Sequence, residues 1–265
     1  MTSLLDSTAV AALLREPASA IDVRVVAQTG STNADLIAAV GGFTSPVLLA
    51  AEHQTAGRGR AGRTWHSAPG GSLAFSLAWR FARPLAALVG LPLAVGVAVA
   101  EALAMFELTV QLKWPNDVLY EERKLGGILV ESRDVSDAGA PGCWAVIGIG
   151  LNLALPRELE AAIDRPVASV PWLAALDRNL LLATLANSLA QVLVQFEQHG
   201  FPALQQRWNA LHAWRGREVA LLDQGKVLQQ GVAVGVDGQG CLLIDTPQGR
   251  RAVMSGDVSL REVGA

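Results

Sequence analysis

The 265-residue chain is poor in cysteine, with only Cys143 and Cys241, far apart in apolar or glycine-rich settings. That argues against a disulfide framework or a cysteine-built metal centre and suits a reducing compartment such as the cytoplasm. Its four histidines, His53, His66, His199 and His212, show no metal-ligand spacing, so no metal ligand is assigned. Charge is scarce: 17% of residues are charged and the net charge is −3, so no global field draws the chain toward DNA or RNA. There is no G-x-x-x-x-G-K-[ST] phosphate loop. Gly70-Gly71-Ser72-Leu73-Ala74 lacks the last glycine of a nucleophile elbow, so chemistry without a protein nucleophile is expected. No Lys or Arg precedes Arg15 and no long apolar segment opens the chain, so no signal peptide is expected. Leu85 to Ala100 is free of charge but contains Gly90, Pro92 and Gly96 and is closed by Glu101. A spanning helix needs about 20 apolar residues, so this run reads as a buried core helix, and no membrane partner is expected.

Half of the chain is hydrophobic (51%), which permits a sizeable core and excludes global disorder. Residues 2–14 and Thr32 to Val40 read as helices, with Thr32 and Asp35 spaced as a capping box. Strands are expected at Val23–Gln28, Val47–Ala51, Leu73–Arg80, Val110–Lys113, Asp117–Tyr120, Gly127–Ser132 and Trp144–Leu153; the alternation of Leu73, Phe75, Leu77 and Trp79 is the clearest signal. The apolar helix should run from about Leu85 to Phe106, and Ala138–Gly142 should be a loop. Asp177 to His199 is an amphipathic helix capped by Asp177 and ended by Gly200, and Pro202 opens another. From Gly216 the texture changes to short strands separated by Asp223-Gln224-Gly225, Asp237-Gly238 and Pro247-Gln248-Gly249 turns, a small all-β module. The domains are therefore placed at 1–214 and 215–265.

Between Glu52 and Glu101 there is no acidic residue, yet Arg58, Arg60, Arg63, Arg80 and Arg83 fall there. The centre of this positive field is the loop Gly57-Arg58-Gly59-Arg60-Ala61-Gly62-Arg63-Thr64-Trp65. Glycines let backbone approach a ligand, and arginine forks match phosphate and carboxylate, so the loop reads as an anion clamp that orders around its ligand. The rival reading is a solvated basic loop. Gly57, Gly59 and Gly62 also fit G-x-G-x-x-G, but no helix can follow through Pro69-Gly70-Gly71 and the next acid is Glu101, so the dinucleotide reading fails. A second cluster is Lys113-Trp114-Pro115-Asn116-Asp117, then Arg123-Lys124-Leu125-Gly126-Gly127. It reads equally as phosphate and Mg²⁺ handling or as a hairpin turn with a solvated Glu-Glu-Arg-Lys tip. A third is Gly148-Ile149-Gly150-Leu151-Asn152, a strand whose glycines admit close approach.

In this order, with Ser31-Thr32-Asn33 in front, these blocks resemble the motifs of biotin–protein ligases from about Val25 to Arg261. The related lipoate ligases share the fold but not the Gly-Arg-Gly-Arg loop. The resemblance implies an α+β fold: a mixed β-sheet with helices, as in class II synthetases and biotin–lipoate ligases, then a small SH3-like barrel. It implies ATP and Mg²⁺ as cofactors, biotin as substrate, and a biotin carboxyl carrier protein of acetyl-CoA carboxylase or a related carboxylase as partner. Biotin's carboxylate would attack the α-phosphate of ATP, and a carrier lysine would then take the acyl group from biotinyl-AMP. By resemblance Ser31, Thr32, Asn33, Gln54, Arg58, Gly59, Arg60 and Lys124 bind biotin. Arg58, Arg63, Trp65, Asn116, Asn152 and Trp172 would bind ATP or the adenylate, and Lys124, Lys113, Arg60 and Asp117 would serve the chemistry. Some members carry an N-terminal helix-turn-helix domain and repress transcription; about 25 residues precede the first shared strand here, so no DNA binding is expected. The resemblance leaves room for a homodimer. The rivals are a lipoate or octanoate ligase and a biotin-responsive binding protein without turnover.

Overall fold

A computed structural model describes residues 4–135, 142–163, 166–223, 226–254 and 258–262. The loop expected at Ala138–Gly142 lies almost wholly outside the described residues, as do Gln224 and Gly225 of the Asp223-Gln224-Gly225 turn. Strands β1 (Asp22–Thr29), β2 (Val47–Gln54), β3 (Ser72–Phe81), β4 (Gln111–Lys113), β5 (Asp117–Tyr120), β6 (Arg123–Asp134) and β7 (Cys143–Asn152) form one sheet in the order β1-β2-β3-β7-β6-β5-β4. Only β1 and β2 run parallel; the other pairs are antiparallel, so the sheet is mixed. A parallel pair needs a crossover, and helix α2 (Thr32–Ala39) supplies it.

Helix α1 (Ser7–Ala12) is shorter than the expected residues 2–14. The cap of α2 also differs: Ser31, not Thr32, takes the Ala34 N–H, and Asp35 instead accepts from the Thr29 hydroxyl. The expected Leu85–Phe106 helix is broken. A short 3-10 turn, Leu85–Leu88, is followed by Gly90 at φ 84°, and α3 (Leu91–Ala104) begins there with Pro92 in its first turn. A side chain at Gly90 would also collide with Phe201. Helices α4 (Arg157–Ala162) and α5 (Pro171–Ala174) were not foreseen, being too short for a periodic signal. Helices α6 (Arg178–His199) and α7 (Pro202–Leu211) follow, α6 capped by Asp177 and ended by Gly200 at φ 68°.

Alternation along β3 and β7 sorts the sheet's two faces. Leu73, Phe75, Leu77, Ala145, Ile147 and Ile149 join the main core with α3 and α6. Ala78, Trp144 and Val146 pack with Leu36 and Val40 of the α2 segment in a smaller cluster. Ala74, Ser76 and Ala78 are as buried as their apolar neighbours, so β3 is not the half-exposed strand that alternation suggests. Its second face carries small residues because α2 and the loop after β2 lie over it. Helix α6 is long and apolar enough to cross a membrane by length and composition, but its apolar face packs on α3 in the core. The thiols of Cys143 and Cys241 are buried, and burial pushes both up.

The second sheet is five-stranded and antiparallel: β8 (Glu218–Asp223), β9 (Lys226–Val236), β10 (Leu242–Thr246), β11 (Gly249–Val253) and β12 (Val258–Glu262), in the order β11-β10-β9-β8-β12. Asp237 closes its turn by accepting from the N–H groups of Gln239 and Cys241. The module is anchored to the first sheet: Ala213 N–H donates to the Leu112 carbonyl at 2.9 Å, and Trp114 Nε1 donates to the Gly240 carbonyl at 3.1 Å. His212, in the same junction, packs on Trp208. Burial and the nearby Arg215 charge lower His212 to about 4.

Candidate active site

One cavity runs from the N-terminus of α2, across the small-residue face of β3, β7 and β6, to the β4–β5 turn. Its two ends are chemically distinct.

The first end is built by α2, β2 and β3. Thr32 N–H donates to Gln54 Oε1 at 2.8 Å, and Thr32 Oγ1 lies 3.1 Å from that oxygen and 2.7 Å from Ser76 Oγ. Ser76 Oγ donates to Asn33 Oδ1 at 2.6 Å, and Asn33 Nδ2 donates to Glu131 at 3.0 Å. Ser31, Thr32, Asn33, Gln54 and Ser76 are all buried. Burying this much polarity is costly unless it is paired, and here it is. Gly148 makes room for the set, since a Cβ there would overlap Asn33 Oδ1. Behind Gln54, β2 is tied down by Glu52, which pairs with buried Arg178 at 2.7 Å and accepts from Leu5 N–H at 2.7 Å.

The glycine–arginine loop roofs the middle. It is already a small hairpin, which its composition did not predict: Gly59 N–H donates to the Arg63 carbonyl at 2.7 Å and Trp65 N–H to Gly57 at 2.9 Å. Its tip turns at Ala61 (φ 53°) and Gly62 (φ 70°). The Trp65 ring lies over Gly150, where a Cβ would overlap it, and near Gly127. Its indole N–H is buried without a partner among the described residues. Arg58 reaches Glu131 at 2.6 Å.

The second end is cationic. Lys124 pairs with Asp117 across the β5–β6 hairpin. It does not stand at the hairpin tip, as expected; Glu121 and Glu122 form the tip, and Lys124 lies in β6 with an 18% exposed side chain. Trp114-Pro115, joined by a cis bond, shape the β4–β5 turn. Asn116 donates to the Ile128 carbonyl at 2.9 Å and accepts from Arg60 at 3.4 Å. Lys113 Nζ sits 4.3 Å from the Trp214 ring centre. Asn152 Nδ2 donates to the Lys124 carbonyl at 3.3 Å.

The cavity thus gathers Ser31, Thr32, Asn33, Gln54, Arg58, Gly59, Arg60, Arg63, Trp65, Lys113, Asn116, Asp117, Lys124 and Asn152. Trp172 does not line it; it stands on α5, 46% exposed, and not in a loop. Ser76, Val167 and, from the second sheet, Leu260 and Arg261 line the cavity without having been singled out. A serine amid the apolar run of β3 was the one local signal available. A rigid polar end that fits a small neutral ring, next to cations that fit a carboxylate and phosphates, describes a site that adenylates a carboxylic acid.

Residues 27–152 match the biotin/lipoate A/B protein ligase family, and residues 216–261 match the biotin protein ligase C-terminal domain. The biotin–[acetyl-CoA-carboxylase] ligase of Mycobacterium tuberculosis is 37% identical over 88% of this chain and 87% of its own length. The enzyme of that name from Paracoccus denitrificans is 32% identical over 88% of this chain and 98% of its length. The Escherichia coli bifunctional ligase/repressor BirA is 37% identical over 90% of this chain and 74% of its length. Among solved structures, biotin protein ligase from Aquifex aeolicus in complex with biotin and ATP matches with a TM-score of 0.74 and 30% identity, over 91% of this chain and 99% of that one. The chain belongs to the biotin protein ligase family.

Proposed function

We propose that this chain is a biotin–[acetyl-CoA-carboxylase] ligase: it joins biotin to ATP as biotinyl-AMP and passes the acyl group to one lysine of the carboxylase's biotin carrier. The observation that carries this reading is one cavity holding both the buried Ser31–Gln54–Ser76 cluster and the Lys113, Lys124 and arginine cluster.

Biotin's ring enters the neutral end, among hydroxyl and amide groups that can meet every polar atom of a ureido. Its carboxylate then points to Lys124. Carboxylate and phosphate repel, so their approach needs positive charge, and Lys124, Lys113, Arg60 and Arg63 provide it in a site roofed by Trp65. A carboxylate oxygen bonds to the α-phosphorus, and pyrophosphate leaves. The carrier's amine later bonds to the acyl carbon, AMP leaves, and the amine loses a proton. AMP is a good leaving group, so positioning and charge suffice and no enzyme nucleophile is needed. Asn152 and Trp65 are assigned to the adenylate, and Trp172 would have to move from its place on α5 to join them. Mg²⁺ is assigned as a companion of ATP. No cluster of three or more His, Cys, Asp or Glu that could hold a metal occurs among the described residues. An ion carried on phosphates needs only one or two carboxylates; Asp117 and the Asn116 oxygen would hold it once they turn from Lys124 and Arg60, and bound there it would neutralise phosphate charge.

Pyrophosphate release on adding biotin to the protein with ATP tests the activation step, and its absence would overturn the reading. The reaction is placed in the cytoplasm, where buried free thiols are at home. No DNA partner is assigned, because the net charge is −3 and the arginines of the Gly57–Trp65 loop face a ligand cavity; a salt-sensitive shift of the protein's own operon DNA would contradict that.

A further inference from the structure

Lys113 ends β4, the outermost strand of the first sheet, and lines the cavity. Just before the second sheet begins, the chain returns along the outer edge of that strand. His212 pairs with Leu112 in parallel register, and the Ala213 N–H donates to the Leu112 carbonyl at 2.9 Å. Parallel neighbours advance together, so Trp214 falls beside the end of β4. The Lys113 ammonium lies over its ring, Nζ 4.3 Å from the ring centre. Trp214 is buried and does not line the cavity, so it reaches a ligand only through Lys113. Its backbone is fixed from behind. The Arg217 N–H donates to the Trp214 carbonyl at 3.0 Å, and the Gly216 N–H of that turn donates to the Ala233 carbonyl of β9 at 2.8 Å.

A lysine carries its charge on a flexible four-carbon stem, so a seat for the ammonium raises the fraction of time it spends where a phosphate can use it. The two lysines of the cavity are seated differently. Lys124 is held by the Asp117 carboxylate, an anion that offsets the charge it positions. An indole face attracts a cation through its quadrupole, yet carries no net charge and accepts no proton. We infer that Trp214 is a positioning residue for the adenylation step, holding Lys113 at the phosphate end of the cavity by a cation–π contact that subtracts nothing from the lysine's field. This rests on the biotinyl-AMP reading above and deepens it. The same segment makes a second contact, Arg217 with Glu122 at the β5–β6 tip and with Glu262. Those side chains are partly open to solvent, where an ion pair is screened and contributes little, so the buried ring carries the effect.

The test uses the full chain with biotin and ATP and reads pyrophosphate release. Trp214→Leu should lower kcat/KM for ATP about 5- to 30-fold, the scale of a desolvated cation–π contact, with KM for biotin within about twofold of wild type. Trp214→Phe keeps an aromatic face and should lose about threefold or less. In a Lys113→Met background, Trp214→Leu should cost less than about twofold more, because the ring then has no ammonium to hold. Arg217→Gln should stay within about twofold of wild type. The inference is overturned if Trp214→Leu costs less than about twofold, if Trp214→Phe or Arg217→Gln loses as much as Trp214→Leu, or if the full loss persists without Lys113. Should Trp214→Leu fail to fold, a multiply fluorinated tryptophan at position 214 decides. It keeps the shape and depletes the ring face, so the same loss is expected, and a wild-type rate overturns the inference. A readout without turnover separates this contact from the activity reading. In the wild-type chain the Lys113 ε-methylene proton resonances should lie upfield, shielded by the Trp214 ring, and Trp214→Leu should abolish that shift; a wild type without it overturns the seat. A wild type that shows the shift but forms no biotinyl-AMP would bring down the activity reading and leave the contact standing.

Discussion

At the Ser31 end of the cavity, Thr32, Asn33, Gln54 and Ser76 are joined by hydrogen bonds of 2.6 to 3.1 Å, and none is more than 9% exposed. At the Lys124 end the groups are charged, partly open to solvent, and carried on a hairpin, a turn and the glycine–arginine loop. Buried dipoles that satisfy one another cannot adapt cheaply, so in the proposed function the first end is assigned to selection by fit. In the proposed reaction, cations on short connections can follow charge as it moves from carboxylate to anhydride to AMP, so the second end is assigned to the reaction. The same sheet supports both, and the division of labour follows from which elements each end borrows.

The division breaks most visibly at Lys124. Lys124→Ala should lower biotinyl-AMP formation by about a hundredfold or more, the scale of losing a charge-stabilising donor, while biotin still binds. Single-turnover adenylation with biotin titration checks both halves, and adenylation within a few-fold of wild type would remove Lys124 from its role. Arg60→Gly should act later. Losing one charge-assisted contact to the acyl-phosphate is worth roughly 1.5–3 kcal/mol, about ten- to hundredfold faster escape of the intermediate. Adenylation should persist, and the escaped biotinyl-AMP should label serum albumin that the wild type leaves alone. An active Arg60→Gly enzyme that labels albumin no more than wild type contradicts the clamp.

Gly148→Ala probes the opposite end. The added methyl would displace Asn33, so KM for biotin should rise about 3- to 10-fold, the loss of one hydrogen-bond set, with KM for ATP unchanged. Equal rises in both would show that the ends are not separable. The smallest effect on activity is expected at the junction of the two sheets. His212 is held neutral there, with its pKa lowered from 6.5 to about 4, mainly by burial. Between those values the unfolded chain gains a proton that the folded chain refuses, so stability falls as pH drops from 6.5 to 4, by about 3 kcal/mol in all. Denaturation midpoints measured across that window should flatten in His212→Gln, while neutral-pH activity stays near wild type.

The phosphate end was far more legible in the sequence than the ring end. Gly57–Trp65, Lys113–Asp117 and Arg123–Gly127 are contiguous, and glycine, proline and charge mark their own turns. Ser31-Thr32-Asn33 was legible for the same local reason, although the cap fell on Ser31 and not on Thr32. The partners that give Asn33 its orientation were not legible. Ser76 and Glu131 lie 43 and 98 residues away and meet it only through strand register and the crossover of α2. Nor did the sequence distinguish an arginine aimed at ligand from Arg58, which salt-bridges Glu131. Alternation in β3 identified the strand but not its second buried face, because that burial comes from α2 and the loop, elements distant in the chain. The long apolar run hid its break at Gly90, where a tertiary contact with Phe201 sets the requirement for glycine.

The most direct measurement is the intact mass of a biotin-carrier domain incubated with this protein, biotin and ATP, with a lipoate-plus-ATP reaction alongside. The account predicts that the carrier gains one biotinyl group on one lysine, only when both biotin and ATP are present, and gains nothing from lipoate. A carrier that stays unmodified with biotin, or takes up lipoate as readily, would contradict it.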